Sequence, residues 1–232
     1  MAIKLTTTKE SESHVKCLVH GPAGIGKTVL SSTAPKPIII SAEHGLLSLK
    51  DFEIPVIMIE NHVDLIEAYE FVTTKKEAKG FQTIVLDSIS DIAEVILDYF
   101  KKNPENNNTN PQAAYGSYAD TLLPLIKKFR DIPDKHVYFI AKTKRIKDDY
   151  TGITQWGPSM PGQQLGQNIP YLFDLVLAMR PGEDKDGNKF RYLQTAADIQ
   201  WEAKDRSGKL SPIEEPHLGK IFDKVLGKGG KK

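Results

Sequence analysis

The sequence predicts an α/β fold: a mostly parallel central sheet with helices on both faces and an antiparallel hairpin near the C-terminus. Three observations lead there. Short β-branched runs such as PIIIS (37–41) and FQTIVL (81–86) alternate with segments of helical spacing. The runs are apolar almost throughout, as strands covered on both faces are. Near the end, LFDLVLAM (172–179), a turn-forming GEDKDGNK (182–189) and residues 190–195 read as two strands folded back on each other. The chain has 232 residues, 40% hydrophobic and 26% charged, which fits one soluble domain over 15–226. A polar segment over 1–14 and a basic tail over 227–232 are expected to be flexible.

Taken in order, 15–20 (VKCLVH) is a strand, and GPAGIGKT leads from it into a helix over 27–33 that Pro35 and Pro37 stop. Strands follow at 37–41 and 55–59. Leu65, Ile66, Tyr69 and Val72 place a helix over 64–74. The strand at 81–86 ends in Asp87, and Ser88 caps a helix whose stripe is Ile89, Ile92, Ala93, Ile96 and Leu97. NPENNNTNPQ (103–112) is a loop by composition. A helix over 118–129 contains Pro124, which kinks it or marks its first turn. Residues 136–141 form a strand, 144–170 an irregular excursion, and 217–226 a terminal helix.

Lys and Arg number 31 against 30 Asp and Glu, so net charge predicts no polyanionic partner and any nucleic-acid site is a local patch. One cysteine, Cys17, supports neither an internal disulfide nor a multi-cysteine zinc site, and a reducing cytoplasm is expected. No run of ~18 apolar residues is present, so no membrane partner is expected. The first residues lack the apolar stretch of a signal peptide.

The chemistry is concentrated in Gly21-Pro22-Ala23-Gly24-Ile25-Gly26-Lys27-Thr28, a full GxxxxGK[ST] match between a strand and a helix. A phosphate chain needs backbone N–H groups turned inward around it, and glycines leave room for them. Lys27 reaches the β- and γ-phosphates and the Thr28 hydroxyl ligates Mg²⁺. Asp87, delivered by an apolar strand to its C-terminal end, is the second metal-side group, since parallel sheets bind ligands at that edge. Glu43 follows the strand 37–41 to the same edge, where a carboxylate can orient a water for in-line attack on the γ-phosphate. No guanine-reading NKxD tetrad is evident, so ATP is the expected nucleotide.

The P-loop, the acidic SAEHG after the second strand and the IVLDS strand resemble the RecA-like branch of P-loop ATPases. With FIAKTK, GPSMPGQQLGQNIPYLFDLVLAMR and WEAKDRSGKL, residues 14–226 resemble the phage-encoded AAA-type nucleotide-binding proteins built of a RecA core alone, the Sak group of single-strand-annealing recombinases. The resemblance makes Glu43 the water-activating glutamate and Asp87 the metal-side aspartate. It puts Lys142, Thr143 and Lys144 where RecA-like proteins sense the γ-phosphate. RecA itself has a glutamine there, so this sequence departs from the pattern. Either Lys142 or Thr143 senses the phosphate, or Lys142 or Lys144 reaches a neighbour's site, with solvated basic residues at a strand end as the alternative. Arg206 is a further candidate to act across a subunit contact, with a surface ion pair as its alternative.

The resemblance also implies single-stranded DNA as partner, through loops near 101–118 and 145–168. The first holds Lys101, Lys102, Tyr115 and Tyr118, and the second holds Arg145, Lys147 and Trp156. Cations neutralise phosphates and aromatic faces stack on bases. The alternative is that both loops are solvated and the tyrosines pack in the core. The resulting expectation is an Mg²⁺-dependent ATPase acting in phage-type recombination or annealing. It is expected as a homo-oligomer, with a single-strand-binding protein as partner, in the cytoplasm of a phage-infected or prophage-carrying bacterium. Two other classes stay open: a nucleotide or small-molecule kinase, and a non-hydrolysing nucleotide-gated loader or scaffold.

Overall fold

The computed structural model describes residues 13–43, 45–102, 111–147 and 152–228. The expected flexible start (1–12), most of the 103–112 loop and the end of the tail (229–232) lie outside them.

Among the described residues, ten strands form one sheet in the order β10-β8-β7-β1-β5-β4-β2-β3, with β6 on β5 and β9 on β7 off this path. The strands are β1 (Lys16–Gly21), β2 (Pro37–Ser41), β3 (Val56–Met58), β4 (Thr83–Asp87), β5 (His136–Lys147), β6 (Thr154–Ser159), β7 (Leu175–Glu183), β8 (Lys189–Gln194), β9 (Lys204–Asp205) and β10 (Ile213–Glu214). From β7 through β1, β5, β4 and β2 to β3 every pairing is parallel; β8 then runs antiparallel to β7. The predicted α/β architecture and terminal hairpin are both present.

Alternation along the strands builds two cores. Leu18, Ile38, Ile40, Ile84, Leu86, Val137 and Phe139 face the side covered by α2 (His62–Thr74), α3 (Ile89–Lys102) and α4 (Pro111–Arg130). Cys17, Val19, Ile39, Val85, Tyr138 and Ile140 face the other side, where α6 (Leu218–Leu226) packs Leu218, Ile221 and Phe222. Neighbouring residues thus bury into opposite layers, as period-two geometry requires. Each fully buried large side chain contributes ~1.5–3 kcal/mol.

Four expectations are corrected. The helix after GPAGIGKT is one turn, α1 (Lys27–Leu30), continued by a 3₁₀ turn over Ser31–Thr33. The long helix begins at Pro111, and Pro124 lies inside it on the exposed face, where the carbonyl it leaves unbonded can meet water. The strand expected over 136–141 extends to Lys147. Its largely polar second half runs past the ends of β4 and β1 and pairs with β6, Lys142 opposite Ser159 through Lys147 opposite Thr154. The excursion over 144–170 is therefore a hairpin followed by α5 (Gln163–Asn168).

Register positions the site. Ser41 is level with Asp87, and Gly21 with Lys142. The ends of β2, β4, β5 and β1 therefore form one edge, with the glycine loop rising from it.

Candidate functional site

A cavity of about 540 Å³ opens at this edge, lined by Gly21, Pro22, Gly24, Gly26, Lys27, Thr28, Glu43, Asp87, Lys142, Thr143 and Arg191, among others. The loop turns on two left-handed glycines, Gly24 (φ 72°) and Gly26 (φ 106°), which side chains would strain. Gly21 is required by close approach: a Cβ there would lie 2.6 Å from the Met179 carbonyl of β7. The buried Tyr138 hydroxyl donates to the Lys27 carbonyl at 2.8 Å, fixing α1 from beneath. Because α1 has four helical residues, a helix dipole adds little here. The loop amides and the Lys27 ammonium are the groups at this turn that can meet phosphate oxygens.

The Lys27 ammonium donates to the carbonyls of Gly21 (2.8 Å) and Pro22 (2.9 Å). Burial lowers its pKa, while Asp87, Glu43 and Asp91 oppose that shift. Its charge is thus held by the carboxylates across the cavity.

Asp87 is 1% exposed. Burial pushes its pKa up to about 6, offset in part by a hydrogen bond from Thr28 and by the charge of Lys27. Its Oδ2 is buried with no hydrogen-bond partner among the described residues. A buried, unsatisfied carboxylate oxygen next to a threonine hydroxyl fits a hard, oxygen-seeking divalent cation. Thr28 and Asp87 would hold Mg²⁺.

Glu43 is held by a short turn, in which its N–H donates to Ser41 Oγ (3.1 Å) and that hydroxyl donates to the Glu43 carbonyl (3.0 Å). A hydrogen bond with Asp91 raises its pKa first, then burial and the charge of Asp87, to about 7. Burial raises Asp91 too, but bonds from Glu43, Lys142 and Ser88 outweigh it and hold Asp91 low. Lys142 Nζ lies 2.5 Å from Asp91 Oδ1 and 3.2 Å from Glu94. Within the Glu43–Asp91 pair the lysine keeps Asp91 ionised, so Glu43 carries the shared proton. Asp91 escaped sequence reading, although Ser88-x-x-Asp91 has the spacing of a capping box that could have marked it. Ser88 caps α3 as expected, accepting from Asp91 N–H at 3.2 Å.

Of the sensing candidates, Lys142 and Thr143 line the cavity. Thr143 Oγ1 lies 3.0 Å from Nδ1 of the buried His20, whose Nε2 donates to the Glu202 carbonyl at 2.8 Å. Burial lowers the His20 pKa to about 4, so the ring is neutral near pH 7. His20 stacks on Trp201 and Trp201 on Trp156. Lys144 lies away from the phosphate loop; a Cβ on Gly166 of α5 would be 3.7 Å from its Nζ. Arg206 contacts Asp174 (3.6 Å) and the Tyr171 carbonyl, at the start of β7 and the opposite edge of the sheet.

The DNA candidates divide. Tyr118 is corrected: it is 1% exposed, donates to the Pro161 carbonyl and belongs to the core, so it offers no face to a base. Tyr115 is 39% exposed with Lys101 Nζ 5.4 Å from its ring centroid. Arg145 lies over Trp156 at 5.4 Å, and Lys102, Arg145 and Lys147 are exposed. Lys102 also pairs with Asp98 at 3.6 Å.

A family model described as "AAA domain" matches residues 13–207. Among solved structures, a KaiC-like protein from the hyperthermophilic archaeon Pyrococcus horikoshii OT3 is similar at 14% identity, over 77% of each chain, with a TM-score of 0.40. No curated protein matches. Among the described residues, no helix is long and apolar enough to cross a membrane.

Proposed function

The chain belongs to the AAA domain family, and from that premise we propose that it is an Mg²⁺-dependent ATPase that binds single-stranded DNA and acts in recombination or annealing of the phage type. The observation carrying this reading is that Lys27, the Thr28–Asp87 pair and Glu43 meet on the wall of one cavity around the glycine loop. In-line hydrolysis needs that set: a cradle for phosphate charge, and a base that holds water at the γ-phosphate.

The loop amides and Lys27 bind and orient the triphosphate. Bound Mg²⁺ supplies further neutralisation of the phosphate oxygens. Glu43, once ionised, accepts a hydrogen bond from water and aims its oxygen along the line of attack. Lys142, at the cavity wall and paired to Asp91, is placed to exchange a carboxylate for a phosphate oxygen when the site fills.

The DNA part rests on the exposed Lys101–Tyr115 pair, a cation beside an aromatic face, and on the exposed cations Arg145 and Lys147; the half-buried Trp156 is already stacked on Trp201 and covered by Arg145. A Cβ on Gly162, just before α5, would lie 3.6 Å from the Tyr115 ring, and one on Gly166 within α5 would lie 3.7 Å from Lys144 Nζ. Assembly as a homo-oligomer, work alongside a single-strand-binding protein, and a bacterial cytoplasm carrying phage belong to the same proposal.

The test is ATP hydrolysis measured with and without single-stranded DNA. DNA should raise turnover, Lys27→Ala should abolish it, and Glu43→Gln should bind nucleotide yet hydrolyse at least a hundredfold more slowly, within the range of a general base. Turnover indifferent to DNA would remove the DNA role, and full turnover in Glu43→Gln would remove Glu43 from the chemistry.

A further inference from the structure

The second wall of the cavity is built by a residue that no motif marks. Arg191 lies on β8, opposite Pro181 of β7, and its side chain crosses back over the glycine loop. A Cβ placed on Gly26 would lie 2.6 Å from Arg191 Nη1 and 3.5 Å from its Cζ. The guanidinium thus rests on the glycine directly before Lys27, within the segment that cradles phosphate.

Its electrostatic situation differs from that of the other cavity cations. Lys27 faces Asp87, Glu43 and Asp91, and Lys142 is paired to Asp91 and Glu94. Arg130 binds Asp131, Arg180 binds Gln194 and Asp198, Arg206 binds Asp174, and Arg145 covers Trp156. Among the described residues, the Arg191 side chain has no ion pair or hydrogen bond, and the residue is solvent-exposed at the cavity wall. In the sheet, β1 separates the two flanks: β5, β4 and β2 bring the carboxylates on one side, and β7 and β8 bring Arg191 on the other. An unpaired planar fork of N–H donors on the flank of a phosphate loop opposite Glu43 and Asp87 is suited to phosphate oxygens.

We propose that Arg191 binds the phosphate chain of the nucleotide held by its own chain's glycine loop, from the flank opposite Glu43 and Asp87. The inference rests on the nucleotide-binding reading above and adds to it a specific anion contact in cis. Arg191 is a binding residue here, with no step of the hydrolysis assigned to it.

Calorimetric titration of the full chain with Mg·ATP and with Mg·ADP tests this. Arg191→Ala should weaken both by tenfold or more, about 1.4 kcal/mol, and Arg191→Lys, which keeps charge but loses the fork, should recover part of the loss. The melting temperature without nucleotide should be unchanged, which separates lost phosphate contact from lost structure. Mixing Arg191→Ala with Lys27→Ala should restore no binding; restoration would mean that the arginine serves a neighbouring chain and would overturn the cis assignment. Wild-type affinity in Arg191→Ala would overturn the inference while leaving the nucleotide site intact. A wild-type chain that binds neither nucleotide would remove the underlying reading, and this inference with it.

Discussion

Glu43 can hold a water for attack only as an anion, and its neighbours set the pH at which it becomes one. Its hydrogen bond to Asp91, then burial, keep it protonated up to about pH 7, so hydrolysis should rise through neutrality. In Asp91→Asn the like-charged partner is gone, and the acid limb of the rate profile should move from about 7 toward the ordinary value of 4.5. An unmoved limb would assign it to another group. Asp87 supplies a second, separable prediction. Its folded pKa of about 6 exceeds the ordinary 3.8, so the folded state binds the proton more tightly. The ionised carboxylate therefore destabilises the fold above pH 6, by on the order of 2–3 kcal/mol, and that penalty disappears as pH falls from 6 toward 3.8. Without nucleotide, Asp87→Asn should melt several degrees higher at pH 8, at ~2–4 °C per kcal/mol, with the gain shrinking below pH 6. A lower melting temperature at pH 8 would contradict the burial penalty. Asp87 and Glu43 were legible as residues because each ends an apolar run, and run ends meet at one sheet edge. Arg191 was not legible, because its reach depends on hairpin register that composition does not carry.

Among the elements, the junction of β1 with β7 sets the shape of the cavity. Gly21 is the last residue of β1, and the Met179 carbonyl approaches so closely that a methyl group must push the strands apart. Gly21→Ala should cost about 1–3 kcal/mol, the usual range for over-packing. It should appear as a lower denaturation midpoint with an unchanged slope, and as weaker nucleotide binding. An unaltered midpoint would show that β1 and β7 separate freely. The boundaries of β2, β4 and α3 follow the sequence closely, since burial on both faces or a clear stripe specifies them. The second half of β5 and all of β6 were missed for the opposite reason. Lys142 to Lys147 are polar apart from Ile146, and their strand conformation comes from pairing with the other hairpin arm, β6, rather than from an apolar run. The His20–Trp201–Trp156 stack also joins segments far apart in the chain, which no local pattern could announce.

At the scale of the molecule, the fold class was readable and the strand order was not. Alternating strands and helices imply a covered parallel sheet, but many orders satisfy that pattern. The order found places β5 between β1 and β4, so the Lys142–Thr143 step stands between the glycine loop and Asp87. It also turns β8 back beside β7, so that the sheet's antiparallel end closes the cavity with Arg191. The whole arrangement has one purpose in this account: to hold a triphosphate against main-chain amides between an acidic and a basic flank. Hydrogen exchange measured across residues 21–28, with and without a hydrolysis-resistant Mg·ATP analogue, tests that claim most directly. Exchange there should slow markedly in the wild-type chain and stay unchanged in Lys27→Ala. If saturating nucleotide leaves those amides exchanging at their free rate, or protects a different segment instead, the triphosphate is not held where this account holds it.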